Sequence, residues 1–352
     1  MKKAYIFALF ALATLMTLPK WNLLPVWRRD FVNIWLSGQA TRSGVDPYDV
    51  QAFFTFAQGF FPDIWLRQTN FTYPPHALFL FTPFSLLPPV FSLVAWSIVS
   101  LAFFYWAARP LIPKGLPAIL ALLTPAGYIN LIYGQTGLIS AALFLLAFRP
   151  NGIAAALLTF KPHMGFLIIP ALANSRKALL SAIILSGIFV LASAVLLPDA
   201  WPEFVRHAGA FQGDKVMSGA EHVWWFKATT PMAWYGFWGW LVYAAGAAYF
   251  LMRNYNVFTA ATATFLISPY GFHYDMAAVC LGFTVLLYRY WDGMPVWQKA
   301  AASLAFLAPV IVDYGTWLIP PILLVGLFVQ SEWRDGQSLY RNSAKLRPEL
   351  SS

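Results

Sequence analysis

Charge is what this sequence has least of: Asp, Glu, Lys and Arg together make up 11% of its 352 residues. A soluble domain carries about 25%, so a water-covered surface cannot be assembled from this pool. Cysteine is nearly absent. The single Cys280 lies inside an apolar run, which excludes an intramolecular disulfide and a cysteine zinc site. Signatures of soluble catalysts are missing too: no Walker loop, no dinucleotide GxGxxG and no GxSxG elbow. No HxxxH or HxxE spacing supports a metal among His76, His163 and His273.

What is present is apolar. Hydrophobic residues make up 59% of the chain, aromatic residues 18%, and the mean hydropathy is +0.61. The reading is one helical bundle of many short membrane spans rather than two or three soluble domains. The net charge of +9 does not point to nucleic acid, because the basic residues stand singly between apolar runs. That is the distribution membrane orientation requires. Met1-Lys2-Lys3 followed by an uncharged run to Pro19 reads as an uncleaved first span. Thr17-Leu18-Pro19-Lys20-Trp21 is a poor cleavage site for the competing signal-peptide reading.

Apolar runs at 4–20, 89–108, 116–132, 136–148, 152–160, 163–174, 178–197, 232–252, 256–268, 274–288, 298–313 and 315–330 are the candidate spans, about twelve. With Lys2 and Lys3 inside and strict alternation, every inner connection is basic. Together with the N-terminal pair and the tail they hold 14 of the 23 Lys and Arg. Both termini are then cytoplasmic, loops 21–73 and 198–231 lie outside, residues 1–333 form the membrane domain, and 334–352 form a polar tail. Segment 74–88 fits no full span and either extends the 89–108 helix outward or dips into the membrane and returns.

This alternation, fixed by charge alone, gathers the unusual polar motifs at outer helix ends. They are Arg28-Arg29-Asp30, Asp46-Pro47-Tyr48-Asp49, Tyr73-Pro74-Pro75-His76, Tyr133-Gly134-Gln135-Thr136, Phe160-Lys161-Pro162-His163 and Ser268-Pro269 through His273-Tyr274-Asp275. None of the inner connections carries such a motif. Lys161 joins two runs too short to cross alone, so its ammonium lies below the outer surface, where an ionisable group suggests function. Pro162 suits a helix start, and broken helices with free N–H ends make anion sites. The competing reading is a snorkelling lysine at an ordinary helix end. Asp30 precedes an amphipathic stretch and reads either as a helix N-cap or as a site carboxylate. Arg28 and Arg29 read as interfacial anchors or phosphate partners. Asp46 and Asp49 read as structural turn residues. His273 and Asp275, just inside an apolar run after a Ser-Pro break, are balanced between core and site.

At these residues the chain resembles glycosyltransferase family 87. Asp30-Phe31-Val32-Asn33-Ile34-Trp35-Leu36-Ser37-Gly38-Gln39-Ala40, Gly44 and Pro47-Tyr48-Asp49 match its first-loop pattern. Tyr73-Pro74-Pro75, Gly134-Gln135, Lys161-Pro162, Ser268-Pro269 and His273-Tyr274 follow in the expected order over about residues 25–290. The resemblance implies an all-α, GT-C-type integral membrane fold with interfacial helices in a large first extracytoplasmic loop. It also implies a bacterial inner-membrane location, a polyprenyl-phosphate sugar donor, typically mannose or a pentose equivalent, and a lipid or glycan acceptor. No cofactor, metal or nucleic acid is implied. The family's catalytic carboxylate maps to Asp30. The chemistry fits the polar map: Lys161, helped by Arg29 or His163, would stabilise the leaving phosphate, and Asp30 would take the acceptor proton. Displacement would invert the anomeric centre, and a phosphate leaving group needs no second carboxylic acid. The wider candidate substrate set is Tyr73, His76, Gln135, Lys161, His163, His273, Tyr274 and Arg29. Two other readings remain. A transporter or lipid flippase would place polar groups at mid-membrane, in communication with both faces. A non-catalytic membrane subunit would not need Asp30, Lys161 and His273 to converge.

Overall fold

The computed structural model describes residues 1–21, 25–64, 71–208 and 228–333, and among these it contains helices and turns but no strand. Tail residues 334–352 and most of the second loop lie outside the described residues. The helices are α1 Lys2–Thr17, α2 Phe31–Arg42, α3 Val50–Gln58, α4 Leu78–Phe81, α5 Pro89–Ala108, α6 Pro125–Tyr133, α7 Gly137–Ala147, α8 Gly152–Leu158 and α9 Pro162–Gly165. There follow α10 Ile169–Ala173, α11 Arg176–Leu196, α12 Ala200–Glu203, α13 Pro231–Arg253, α14 Val257–Ile267, α15 Ala277–Tyr290, α16 Val296–Gly315 and α17 Ile319–Glu332.

Hydrophobicity on all sides decides which helices are central. Every residue of α7 is buried, and so is α15 from Ala277 to Leu287. A helix apolar all round has no water-facing side to offer. Around these, α5 and α8 pack on α7 and α11 on α8, while α14 and α16 pack on α15, α17 packs on α14 and α16, and α13 packs on α14 and α17, with α1 set against α6, α15 and α16. Gly152 at the start of α8 permits that stacking, since a Cβ there would lie 2.4 Å from the Ala178 carbonyl of α11. The outermost helix, α11, buries only Ala178, Ala182 and Ser193. Its Ile183, Ile184, Ile188, Leu191, Val195 and Leu196 are exposed, as are Val90, Phe91, Val94 and Ile98 on α5. Apolar faces of this extent do not face water.

Among the described residues two helical stretches, Pro89–Leu111 and Arg176–Leu196, have the length and composition to cross a bilayer alone; six further apolar helices are shorter. The run at 116–132 is not one helix: a 3-10 turn, Ala118–Ala121, precedes α6, which begins at Pro125 behind its Thr124 cap. Segment 74–88 does not continue α5. Pro74 and Pro83 restrict it to short turns, and Leu87 is extended before Pro88. It packs instead on α2, where Trp35 Nε1 donates to Leu87 O at 2.8 Å and Gln39 Nε2 donates to Ser85 O at 2.7 Å. The first loop does carry helices, α2 and α3.

The charge-derived orientation has a direct check. In a Cys280→Ala background, a cysteine at exposed Gln51 in α3 is expected to react with an impermeant thiol reagent in intact cells, and one at exposed Lys114 is not. The reverse labelling pattern overturns that orientation.

Candidate active site

Asp30 stands at the N-cap position of α2 but makes no side-chain cap bond. Its carboxylate Oδ2 instead accepts from Gln135 Nε2 at 2.6 Å, across 105 residues of sequence. Asp30 is exposed whereas Gln135 is buried, so the amide fixes an oxygen of a carboxylate that remains accessible. Gly134 makes this pairing possible. It ends α6 in the left-handed conformation at φ 65°, which suits glycine. A Cβ there would also lie 2.5 Å from that of Phe31, next to Asp30.

The same chain reversal places Thr136, whose Oγ1 is 3.1 Å from the Tyr73 hydroxyl. Tyr73 and Tyr274 each lie in the electrostatic field of both Asp30 and Asp275. Lys161 Nζ donates to Asp275 Oδ1 at 2.5 Å, with side chains 6% and 1% exposed. The ammonium also lies 4.9 Å from the centre of the Tyr274 ring and 5.9 Å from that of Tyr73. Those ring faces add cation–π attraction. Asp275 Oδ2 has no hydrogen-bond partner among the described residues. Lys161 is thus a buried, paired cation, and its main-chain position is the break between α8 and α9.

The three histidines each make contacts of their own. His163 lies in the field of Lys161 and sets its ring edge-on to Tyr270 at 5.1 Å. His76 Nε2 is 3.1 Å from Thr159 Oγ1, two residues before Lys161, and the ring stacks on Trp201. His273 packs against Tyr274, which stacks on Phe272. Arg29 is placed elsewhere: its guanidinium donates to the Leu131 and Ile132 carbonyls near the end of α6. That satisfies acceptors a helix C-terminus leaves open and ties the first loop to α6.

Asp46 and Asp49 are turn residues, as their sequence context indicates. Asp46 Oδ1 accepts from Tyr48 N at 2.9 Å, and Asp49 caps α3 through Gln51 N and Ala52 N. Burial holds the Asp46 carboxyl above its ordinary pKa. Tyr48 then donates to the Tyr73 carbonyl at 2.6 Å, linking this turn to the site.

Asn130 is the residue that sequence reasoning passed over. Its amide nitrogen donates to Ala126 O and Tyr274 O, both at 2.7 Å, and its Oδ1 accepts from Leu138 N at 3.2 Å. One side chain therefore joins α6, the start of α7 and the turn that carries Asp275. Its signal was a lone amide in the apolar Tyr128-Ile129-Asn130-Leu131-Ile132 run. Gly137 keeps the same junction tight, because a Cβ there would lie 2.0 Å from the Tyr274 carbonyl. Gly137→Ala is expected to cost about 1–3 kcal/mol, the usual range for overpacking, and to slow catalysis by shifting Tyr274 and Asp275. Unfolding of the detergent-solubilised protein measures the first effect, and its failure to fall refutes this account of the junction. Among the described residues no cluster of three or more His, Cys, Asp and Glu is grouped as a metal set would be.

The described site thus combines short apolar helices, a buried Lys161–Asp275 ion pair and the exposed carboxylate of Asp30. The model of glycosyltransferase family 87 matches residues 71–312, and the chain belongs to that family; it is a membrane glycosyltransferase. The matched stretch takes in Tyr73, His76, Gln135, Lys161, His163, His273, Tyr274 and Asp275, while Arg29 and Asp30 lie before it. Searches of curated proteins and of solved structures return no match.

Proposed function

We propose that the chain transfers a sugar, mannose or another hexose, from a polyprenyl-phosphate donor to a lipid- or glycan-linked acceptor at the extracytoplasmic face of the bacterial inner membrane. The observation that carries this reading is the juxtaposition of Asp30, exposed and fixed by Gln135, with the buried Lys161 ammonium across Tyr73 and Tyr274. An acceptor hydroxyl passes its proton to Asp30 as its oxygen attacks the anomeric carbon. The bond from that carbon to the phosphate oxygen breaks, and the lipid phosphate leaves with the electron pair. Attack opposite the leaving group inverts the anomeric centre.

An ammonium has three donors, and Asp275 takes one of them in the structure. The others are available to the leaving phosphate, whose charge grows as the bond breaks. Asp275 then keeps the ammonium charged and aimed in a site from which water is excluded. His163 and His76 are expected to contact the donor near Lys161, and His273 and Tyr274 to line the sugar; Arg29 contributes by anchoring the loop that carries Asp30. The test is transfer of radiolabel from a panel of polyprenyl-phosphate sugars to membrane extracts by the purified protein. Transfer from one of them identifies the sugar. Transfer from a sugar nucleotide, with none from the lipid donors, overturns the proposal.

A further inference from the structure

One buried side chain stands between the two halves of the candidate active site. The acceptor half is Asp30, whose carboxylate is held by Gln135 just after α6. The donor half is Lys161, whose ammonium is held by Asp275 in the turn before α15. Asn130, near the end of α6, is bonded to the segments that carry both anchors. Its main-chain carbonyl accepts from Gln135 N at 3.0 Å. Its side-chain nitrogen donates at 2.7 Å to the carbonyl of Tyr274, the residue before Asp275.

The amide is held rigidly in this place. Asn130 is 3% exposed. Its nitrogen also donates to Ala126 O at 2.7 Å, one turn back along α6, and its oxygen accepts from Leu138 N at 3.2 Å in the first turn of α7. That N–H is one a helix start leaves open. An amide offers two donors and an acceptor oxygen, and all are used here. Turned over, it would set its oxygen against two carbonyls and its nitrogen against an N–H. The surroundings leave no slack, since a Cβ on Gly137 would lie 2.9 Å from the Asn130 nitrogen. An apolar side chain of similar size would fill the same space. What the amide adds is a fixed length, because hydrogen bonds hold their partners within a narrow range of distance.

We propose that Asn130 is a positioning residue that sets the separation between the Asp30 carboxylate and the Lys161–Asp275 pair. The inference rests on the sugar-transfer reading above, and Asn130 itself touches neither substrate. In a displacement the acceptor oxygen, the anomeric carbon and the leaving oxygen stand nearly in line. Asp30 serves the first of these atoms and Lys161 the last, so their separation decides whether both act on one sugar at once. Each substrate can still bind its own half when that separation is wrong. A misplacement of about 1 Å in such an arrangement slows reaction about 10²-fold.

The experiment is a double-mutant cycle on the purified full chain in detergent. The donor is labelled polyprenyl-phosphate mannose, or whichever sugar of the panel is transferred, and rates are taken per amount of folded protein. Asn130→Leu, close in size to asparagine, is expected to lower kcat about 10²-fold, the effect of a misplaced group, while the donor KM stays within about threefold. In an Asp30→Asn background the same change is expected to cost less than about threefold, because residues that act as a unit are not additive. A residue needed only for stability would lower both backgrounds by the same factor. If Asn130→Leu does not fold, Asn130→Gln, which carries the amide on a longer arm, takes its place in the cycle with the same expectations. Wild-type kcat, a loss carried by KM, or equal factors in the two backgrounds overturns the proposal and leaves the sugar-transfer reading intact. Near-wild-type turnover by Asp30→Asn alone overturns both.

Discussion

Asp30→Asn is expected to fold normally and to lose sugar transfer by about 10²–10⁴-fold, the usual contribution of a positioned acid–base group. The alternative role at this position is a helix cap, and asparagine caps about as well as aspartate. The structure sharpens the contrast, because the side chain makes no cap bond and is held by Gln135 instead. An asparagine can still receive the Gln135 hydrogen bond through its carbonyl oxygen, so the geometry survives while the base is lost. Unfolding temperature and donor binding are therefore expected to stay near wild type. Transfer from a labelled lipid-linked sugar is the readout, and turnover near the wild-type rate would remove Asp30 from the mechanism.

Much of this site was legible because membrane proteins confine polar residues so strictly. In an apolar chain each charge needs a reason, and Lys161 stood out on that ground, whereas Asp30 read as readily as a helix cap and only the family resemblance pointed to it as a carboxylate of the site. Helix positions followed from the same scarcity: α5, α11 and α15 lie close to the apolar runs that mark them. What stayed hidden was pairing. Lys161 and Asp275 are 114 residues apart, and no periodicity links a break between two short helices to a turn before a third. Asp275 was balanced between core and site for that reason, though it is the direct partner of the most informative lysine. Arg29 shows the opposite case. Beside Asp30 in sequence it invited a phosphate role, yet its guanidinium turns to the α6 carbonyls. Segment 74–88 was ambiguous because its prolines remove helical continuity, and only its contacts with α2 settle its course.

The Lys161–Asp275 pair makes the obvious single variant uninformative and suggests a better one. Lys161→Ala leaves Asp275 buried without a counter-charge, and removing one partner of a buried pair costs about 3–5 kcal/mol. Loss of protein would then hide any loss of chemistry. Replacing both members by apolar residues of similar volume is often neutral or stabilising. Lys161→Met combined with Asp275→Leu is accordingly expected to fold at least nearly as well as wild type and far better than Lys161→Ala. If the pair only locks α9 to the turn before α15, that double variant also transfers sugar at a normal rate. If Lys161 stabilises the leaving phosphate, transfer falls by about 10²–10³-fold, as when a preorganised donor to a developing anion is removed. The loss should lie in kcat more than in KM, because charge accumulates on the phosphate in the transition state. Wild-type turnover by the folded double variant would leave the ion pair a purely structural clasp and remove Lys161 from the phosphate role.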